Sequence, residues 1–481
     1  MTKLSTANQP ALKRSLGLPQ LVLFGVTYMT IVTVFTTYGY VSAETDNRLP
    51  LAYVITTITM AFTALSYGTM ARKFPVAGSA YTYSQQAFGG GIGFLTGWAT
   101  LLDYLFLPLI NFMLLGAYLE SVTGVPFWIF TLAAIALVFL LNIFGVTLVS
   151  RVNVLIIALG VLLALVFVVL SFNTWLRSSG GPGLFEPFTV GDSGWTGIFA
   201  GSAVLALSFL GFDAVSTLAE ETKDARRNIP RAILITTLVG GLLFTLVSWA
   251  GSLAIQPDWA AMSTSELDTA STLLMQTTGG ELLMNFFVAV YVAGCIGSGM
   301  TGQVGVSRIL FAMGRDGLLP KPLARVWKKR GTPVVATTTV TVLTLCGIFL
   351  PIAEVINVIS FGALTAFTIV NLAVLRTFAF RRDHAVTDFR SALRYLVFPI
   401  IGTLATAWLW TSLSLNTLVV GLIWLAAGVV ILAIVTRGFT RRAPKMDFSE
   451  ADPSDNAAAA AGPSTGYIDQ VGEDYPFRDA R

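Results

Sequence analysis

Runs of about 20 apolar residues recur along this chain, each long enough to cross a hydrocarbon core of roughly 30 Å as a single helix. They fall approximately at residues 19–42, 50–70, 91–120, 126–148, 153–173, 194–219, 231–255, 281–311, 332–350, 353–379, 392–413 and 416–436. With 54% hydrophobic and 12% charged residues, the chain carries about half the charge of an average soluble domain. The sequence reads as an all-α polytopic membrane protein with about 12 transmembrane helices.

An even number of spans puts both termini on one side. Lys and Arg accumulate in cytoplasmic loops and tails, and with the N-terminus inside only Arg48 and Arg177 of 30 basic residues fall on the outer side. The expected organisation is a cytoplasmic segment 1–18, a twelve-helix domain over 19–436, and a cytoplasmic tail 437–481 in the plasma membrane of the cell. The first span is too long for a signal-peptide core and is expected to stay as an anchor. The tail, with DPSDNAAAAAGPSTG, has few apolar groups to bury and reads as disordered.

Positive-inside topology accounts for the pI near 9.0, so no nucleic-acid partner is needed. Cys295 and Cys346 both fall within spans, which supports neither a disulfide framework nor a zinc site. The one histidine, His384, lies in the cytoplasmic stretch RRDHAVTDFR. Without HExxH, GxSxG or paired His and Cys, the chain is not expected to be an enzyme, and no cofactor is expected. A sensor would carry a folded signalling domain, where this chain ends in a short polar tail.

Charge inside a bilayer is expensive and by default faces the interior of the bundle. Two carboxylates stand out inside spans: Asp213 in SFLGFDAVSTLAEET and Asp103 in GGGIGFLTGWATLLDYLFLPLINF. Pro108 has no amide proton, so the carbonyl of Tyr104, four residues earlier, loses its helical partner and becomes available to a ligand. Gly97, Thr100, Tyr104 and Asn111 share one small or polar stripe that Asp103 borders. A cation would meet an acid, a phenol and a free carbonyl there; the alternative is that Asp103 and Tyr104 tie neighbouring helices, with Pro108 as a packing kink. Gly211 invites a helix break, after which Asp213 either caps the restarted half-helix or meets substrate or proton directly. In span one, Gly25, Thr27, Thr30 and Thr33 would support a matching break and so an inverted repeat, unless the Thr hydroxyls simply bond back to their own helix.

The loops carry a resemblance. SYGTMARKFPVAGSAYTYSQQAFGGGIGFLTGW (66–98) resembles the signature between the second and third spans of the amino acid/polyamine/organocation superfamily, with a short FPxAGxxYxY turn. GFDAVSTLAEETKDARRNIPRAI, VSRILFAMGRDGLLPKPLARVWKKRGTPVVA and INVISFGALTAFTIVNLAVLRTF agree in order and spacing. Within the superfamily LLDYLFLP, LSFLGFDAVSTLAEET and ISFGALTAFTIVNLAVL are similar to putrescine importers, over about residues 13–436.

The resemblance implies a LeuT-type fold, with spans one to five and six to ten as a 5+5 inverted repeat and helices one and six broken. Substrate would lie between spans one, three, six, eight and ten. By position it makes Asp103, Tyr104, Phe209 and Asp213 candidate substrate-binding residues, to which the two breaks add Gly211, Thr30 and Thr33. Amino-acid permeases of the superfamily usually place a Gly-x-Gly turn before the phenylalanine of span one to hold the substrate carboxylate. Here that place reads Ile31, Val32, Thr33, Val34, Phe35, which favours an amine without a carboxylate. Span five, RVNVLIIALGVLLALVFVVL, lacks the lysine that serves some relatives as a built-in cation. The expectation is a secondary transporter importing a small organic cation, putrescine or a related polyamine, driven by membrane potential and proton symport; the alternative is an amino-acid permease. The implied partners are that amine or amino-acid substrate, a proton as coupling ion, and the lipid bilayer.

Overall fold

A computed structural model describes residues 16–440, apart from 30–31, 76–78, 145–148, 179, 316–318, 327–331, 381–387 and 439. Thr30, Ile31, His384, the first 15 residues and the tail beyond Thr440 lie outside the described residues.

Among the described residues ten helices are long and apolar enough to cross a membrane, and two shorter apolar ones, Phe127–Ile143 and Val334–Gly347, stand at the fourth and ninth expected spans. In lipid every main-chain amide and carbonyl must find its partner within the protein, which a helix provides segment by segment. Polar side chains obey the same demand. In span two (Leu49–Lys73) the hydroxyls of Thr56, Thr57 and Thr69 donate to carbonyls four residues earlier, at 2.6–2.8 Å. Pro50 starts that helix where an amide is dispensable, and Arg72 and Lys73 end it beside the negative pole of its dipole.

Span two packs most extensively on span seven (Ala225–Ala254), and span three (Gly90–Thr123) on span eight (Ala270–Arg315). Span one also meets span six, and span four meets span nine. Spans one to four thus each meet the span five places on, a pairing that an inverted repeat generates. Small residues bring the axes close: Gly302 of span eight lies where an added Cβ would sit 3.3 Å from the Pro108 ring of span three.

Three features depart from the simple run of spans. The segment after span two, expected as a turn, contains a helix, Ser79–Phe88. Its mixed polarity hides it from a search for apolar runs. A helical stretch from Ala270 precedes the long span-eight helix, which starts at 281 as expected, the two separated by non-helical backbone at Gly280 (φ 71°). Span ten (Ile352–Val374) and span eleven each contain a widened π-turn, at Leu375–Ala379 and Leu393–Val397, and there Phe378 and Tyr395 stack with centroids 4.6 Å apart.

Span six is interrupted, and span one, described as Leu18–Met29, Thr33–Thr36 and Tyr38–Glu44, is interrupted among its described residues by a turn at Val32 and a bend at Thr37. Span six runs as Gly194–Val204, tightens into a 3₁₀ stretch through Phe209, opens at Leu210 and Gly211, and continues as a 3₁₀ stretch over Asp213–Glu221.

Candidate functional site

The two interruptions face one another. Gly211 has φ +116°, a conformation that a side chain rarely tolerates, and a Cβ there would strike the Tyr28 ring and stand 3.1 Å from the Met29 amide nitrogen. Glycine is therefore required twice over, by backbone angle and by space. On the facing chain the Thr33 hydroxyl donates to the Met29 carbonyl, four residues earlier, at 3.2 Å. The expectation that this threonine bonds back to its own helix is realised, and its hydroxyl is thereby occupied. The hydroxyls of Thr100 and Thr96 on span three do the same, donating to carbonyls four residues earlier at 2.9 and 2.8 Å.

Asp213 stands directly after the opening in span six. Its Oδ1 accepts from the Gly211 amide at 3.4 Å, its Oδ2 accepts from the Ser79 hydroxyl at 2.8 Å, and the amides of Asp213 and Ala214 face the same carboxylate. The carboxylate thus holds the broken backbone locally, although the residue at the cap position itself is Phe212 and makes no side-chain cap bond. Phe212 packs against Tyr67 and Phe367, with centroids 5.6 and 5.1 Å away.

Asp103 lies across from it on span three, within electrostatic reach of Asp213. Its Oδ1 is buried without a hydrogen-bond partner, and leaving such an atom unpaired is costly. Span ten presses on this point: a Cβ on Gly362 would stand 2.7 Å from the Ala99 carbonyl and 3.5 Å from the Asp103 amide nitrogen. Tyr104 is close enough to Tyr28, Asp213 and Asp103 to feel their charges. The helix runs through Pro108 without interruption, so the Tyr104 carbonyl has no amide at position 108 to accept from. Asn111 is committed elsewhere, donating to the Leu107 carbonyl at 2.7 Å and to Ser298 at 3.2 Å.

The structure therefore gathers Asp103, Tyr104, Gly211 and Asp213, with Thr33 at the rim of the span-one break. Phe209 is placed apart: fully buried, it meets Phe244 edge-on at 5.5 Å in the packing between spans six and seven. Tyr28, Tyr67 and Ser79 are close to the carboxylates and were not singled out from sequence, although Tyr67 and Ser79 lie inside the quoted loop signature. Neither Asp103 nor Asp213 pairs with a Lys or Arg among the described residues, where Arg48 with Glu186, at 3.3 Å, is the ion pair present.

The two ends of the site differ. Beyond the break, Phe35 wedges edge-on between Phe167 and Phe287 at 5.2 and 5.4 Å, and its carbonyl accepts from Ser271 at 2.8 Å and from Tyr118 at 3.3 Å. Thr36 and Tyr291 share a hydrogen bond of 2.6 Å. Before the break, Tyr28 is 43% exposed.

The sequence profile described as amino acid permease matches residues 21–440. The chain belongs to the amino acid permease family. It is similar to the low-affinity putrescine importer PlaP of Escherichia coli K12, 36% identical over 91% of this chain and 96% of that protein. The branched-chain amino acid permease BcaP of Bacillus subtilis is 29% identical over 90% of this chain and 95% of its own. The methylthioribose transporter of the same organism is 25% identical over 89% and 94%. As a member of this family the chain is a multi-pass membrane permease of small molecules and not an enzyme. Among amino acid permeases whose names specify an amine, an amino acid or a thiosugar, the difference must lie in the few groups that face the substrate, since the fold is common to all.

Proposed function

We propose that this permease imports a small organic cation, putrescine or a related diamine, across the plasma membrane. The observation that carries this reading is the pair of carboxylates, Asp103 and Asp213, within electrostatic reach of each other and without a basic partner among the described residues, one of them with a buried oxygen that no described residue satisfies. Two ammonium groups supply the missing charge and the missing donor together, and the Tyr104 carbonyl, with no amide at position 108 to accept from, adds an acceptor. A neutral amino acid brings one ammonium and also a carboxylate, for which the break in span one offers an occupied Thr33 hydroxyl.

Both termini are cytoplasmic in this reading, so the sealed half around Phe35 faces outward and the exposed Tyr28 side faces the cytoplasm. Its outer loops then hold Asp46, Glu186, Asp192, Asp258, Glu266 and Asp268 against Arg48 and Arg177. Topology does not require acids there, because orientation is set by Lys and Arg. Their field raises the local concentration of cations at the entrance. Inward movement of each charge gains about 2.3 kcal/mol per 100 mV, so a dication gains about 4.6 kcal/mol, more than a thousandfold accumulation. A proton is the proposed coupling ion when the substrate brings fewer charges than the two carboxylates accept.

Counterflow of labelled putrescine into liposomes carrying the purified protein tests the reading. Asp103→Asn is expected to abolish saturable uptake. Full uptake by that variant, or none by the native protein with putrescine while leucine is carried, would transfer the function to the amino-acid alternative.

A further inference from the structure

Ser79 and Tyr83 of the motif FPVAGSAYTY stand beside Asp213. Ser79 opens the short helix Ser79–Phe88 with φ +45°, in the left-handed region that Gly, Asn and Asp occupy most readily. From there its hydroxyl crosses to span six and donates to Asp213 Oδ2 at 2.8 Å. Tyr67 of span two stands beside it. That phenol is fully buried, held edge-on by Tyr83 and Phe212 at 5.8 and 5.6 Å, and its Oη is without a hydrogen-bond partner. It lies next to the Ser79 hydroxyl without meeting the geometry of a bond. A hydroxyl with two acceptors in reach, one engaged and one waiting, can exchange them by a single rotation about its Cα–Cβ bond.

We propose that Ser79 is a positioning residue that makes the grip of the short helix Ser79–Phe88 on span six depend on whether Asp213 is occupied. With Asp213 empty, Ser79 donates to it and the short helix is latched to the broken segment. When a substrate ammonium or a proton takes Asp213 Oδ2, the Ser79 hydroxyl turns to Tyr67 and the latch opens. The groups facing Asp213 are Asp103 from span three, Tyr104 beside it, Tyr67 from span two and Tyr83 from the short helix. None of these is basic, and among the described residues no Lys or Arg pairs with the carboxylate. This inference rests on the place given above to Asp213 in the substrate path.

The backbone angle provides a clean test in the full-length protein in liposomes. Ser79→Gly fits φ +45° and removes the hydroxyl; Ser79→Asn also fits that angle and restores a donor. Initial rate, KM and pH profile of putrescine uptake are measured for both and for Asp213→Asn. The latch predicts that Ser79→Gly lowers uptake about tenfold or shifts the pH profile, as loss of a donor to a carboxylate should. Ser79→Asn should stay within about threefold of native with the native pH profile. If Ser79→Gly matches the native rate, KM and pH profile while Asp213→Asn is impaired, the latch is wrong and the transport reading stands. If Ser79→Asn fails as badly as Ser79→Gly, the donor is not what matters and the latch is again overturned. If Asp213→Asn itself is indistinguishable from native, the place of Asp213 in the path is lost, and the latch with it.

Discussion

Trp98 and Trp424 exchange hydrogen bonds: the indole N–H of each donates to the main-chain carbonyl of the other, both at 2.8 Å, with the rings stacked 4.6 Å apart. Gly428, one turn beyond Trp424, leaves the space that the Trp98 indole fills. Span twelve (Leu415–Val435) otherwise presents large apolar side chains outward, among them Ile423, 64% exposed, and Ile434, 70% exposed. The reciprocal clasp is thus its main polar attachment to span three, the span that carries Asp103.

Replacing Trp424 by Phe keeps a ring for the stack and deletes one of the two N–H donors. Interhelical hydrogen bonds in membranes are worth about 0.6 kcal/mol on average and up to about 1.7 kcal/mol. Trp424→Phe is therefore expected to lower stability by roughly 0.6–1.7 kcal/mol in thermal unfolding of the detergent-solubilised protein. Uptake per folded molecule should be unchanged, since the clasp lies at the periphery of the bundle. Trp98→Phe should lose a similar amount, as the two bonds are equivalent.

Gly211 and Gly305 make opposite predictions for the same substitution. At Gly211 alanine meets both a φ of +116° and the Tyr28 ring, and strain of this kind costs on the order of 1–3 kcal/mol before any collision. Gly211→Ala should depress both unfolding temperature and uptake. A Cβ on Gly305 of span eight meets nothing within 4 Å, so Gly305→Ala should be neutral or gain about 0.4–1 kcal/mol from the unfolded chain. A Gly211→Ala protein as stable as its Gly305→Ala counterpart would mean that the two breaks do not touch.

The span positions were legible because lipid imposes them: a run of the required length and apolarity has few other ways to exist. The breaks were half legible. Gly211 announced itself, being the residue of LGFD that most readily takes a positive φ, and Thr33 indicated a weak turn in span one, but nothing in either segment says that the two face each other. That relation comes from the fold, as does the meeting of Asp103 with Asp213, 110 positions apart in the chain. Ser79 was hidden for a different reason. Its hydroxyl reaches Asp213 across 134 positions from a helix too polar to register as a span and too short to register otherwise. Phe209 shows the converse, for position along span six suggested the site and rotation of the 3₁₀ stretch turned the ring to Phe244.

Asp268 gives a pH dependence outside the membrane. Burial raises its carboxyl from 3.8 to about 6, against the opposing pull of the Tyr40 hydroxyl that donates to it. A folded-state value above the unfolded one means that the folded protein binds more protons between about pH 4 and 6, so this group favours folding at low pH and loses that contribution as pH rises through 6. The unfolding temperature should therefore decline between about pH 4 and 6 relative to an Asp268→Asn protein, and run parallel to it above about pH 7. A native curve parallel to the Asp268→Asn curve throughout would remove Asp268 as the source.

Tyr104→Phe removes one hydroxyl and little volume. A hydrogen bond to a charged group is worth roughly 1.5–3 kcal/mol, so if the phenol bonds a substrate ammonium the KM for putrescine should rise at least about tenfold. An unchanged KM, with the amount of protein in the membrane controlled, would place the hydroxyl outside the site and leave only the Tyr104 carbonyl as a candidate.

Competition among amines and amino acids asks what the two carboxylates are for. Putrescine carries two ammonium groups and nothing to repel; cadaverine adds one methylene, which in an apolar pocket changes affinity by only about 1–3 kcal/mol. Ornithine keeps both amines and adds a carboxylate. That group would approach Asp103 and Asp213, two like charges, and the span-one break, where the Thr33 hydroxyl is already bonded to Met29. Leucine brings a single ammonium with a carboxylate and leaves one acid without a partner. The expected order against labelled putrescine is putrescine, then cadaverine, then ornithine far weaker, with leucine without effect at matched concentration. Leucine or ornithine competing as well as putrescine would mean that the site holds a carboxylate by groups other than these. The two aspartates would then serve the break in span six and not the charge of the substrate.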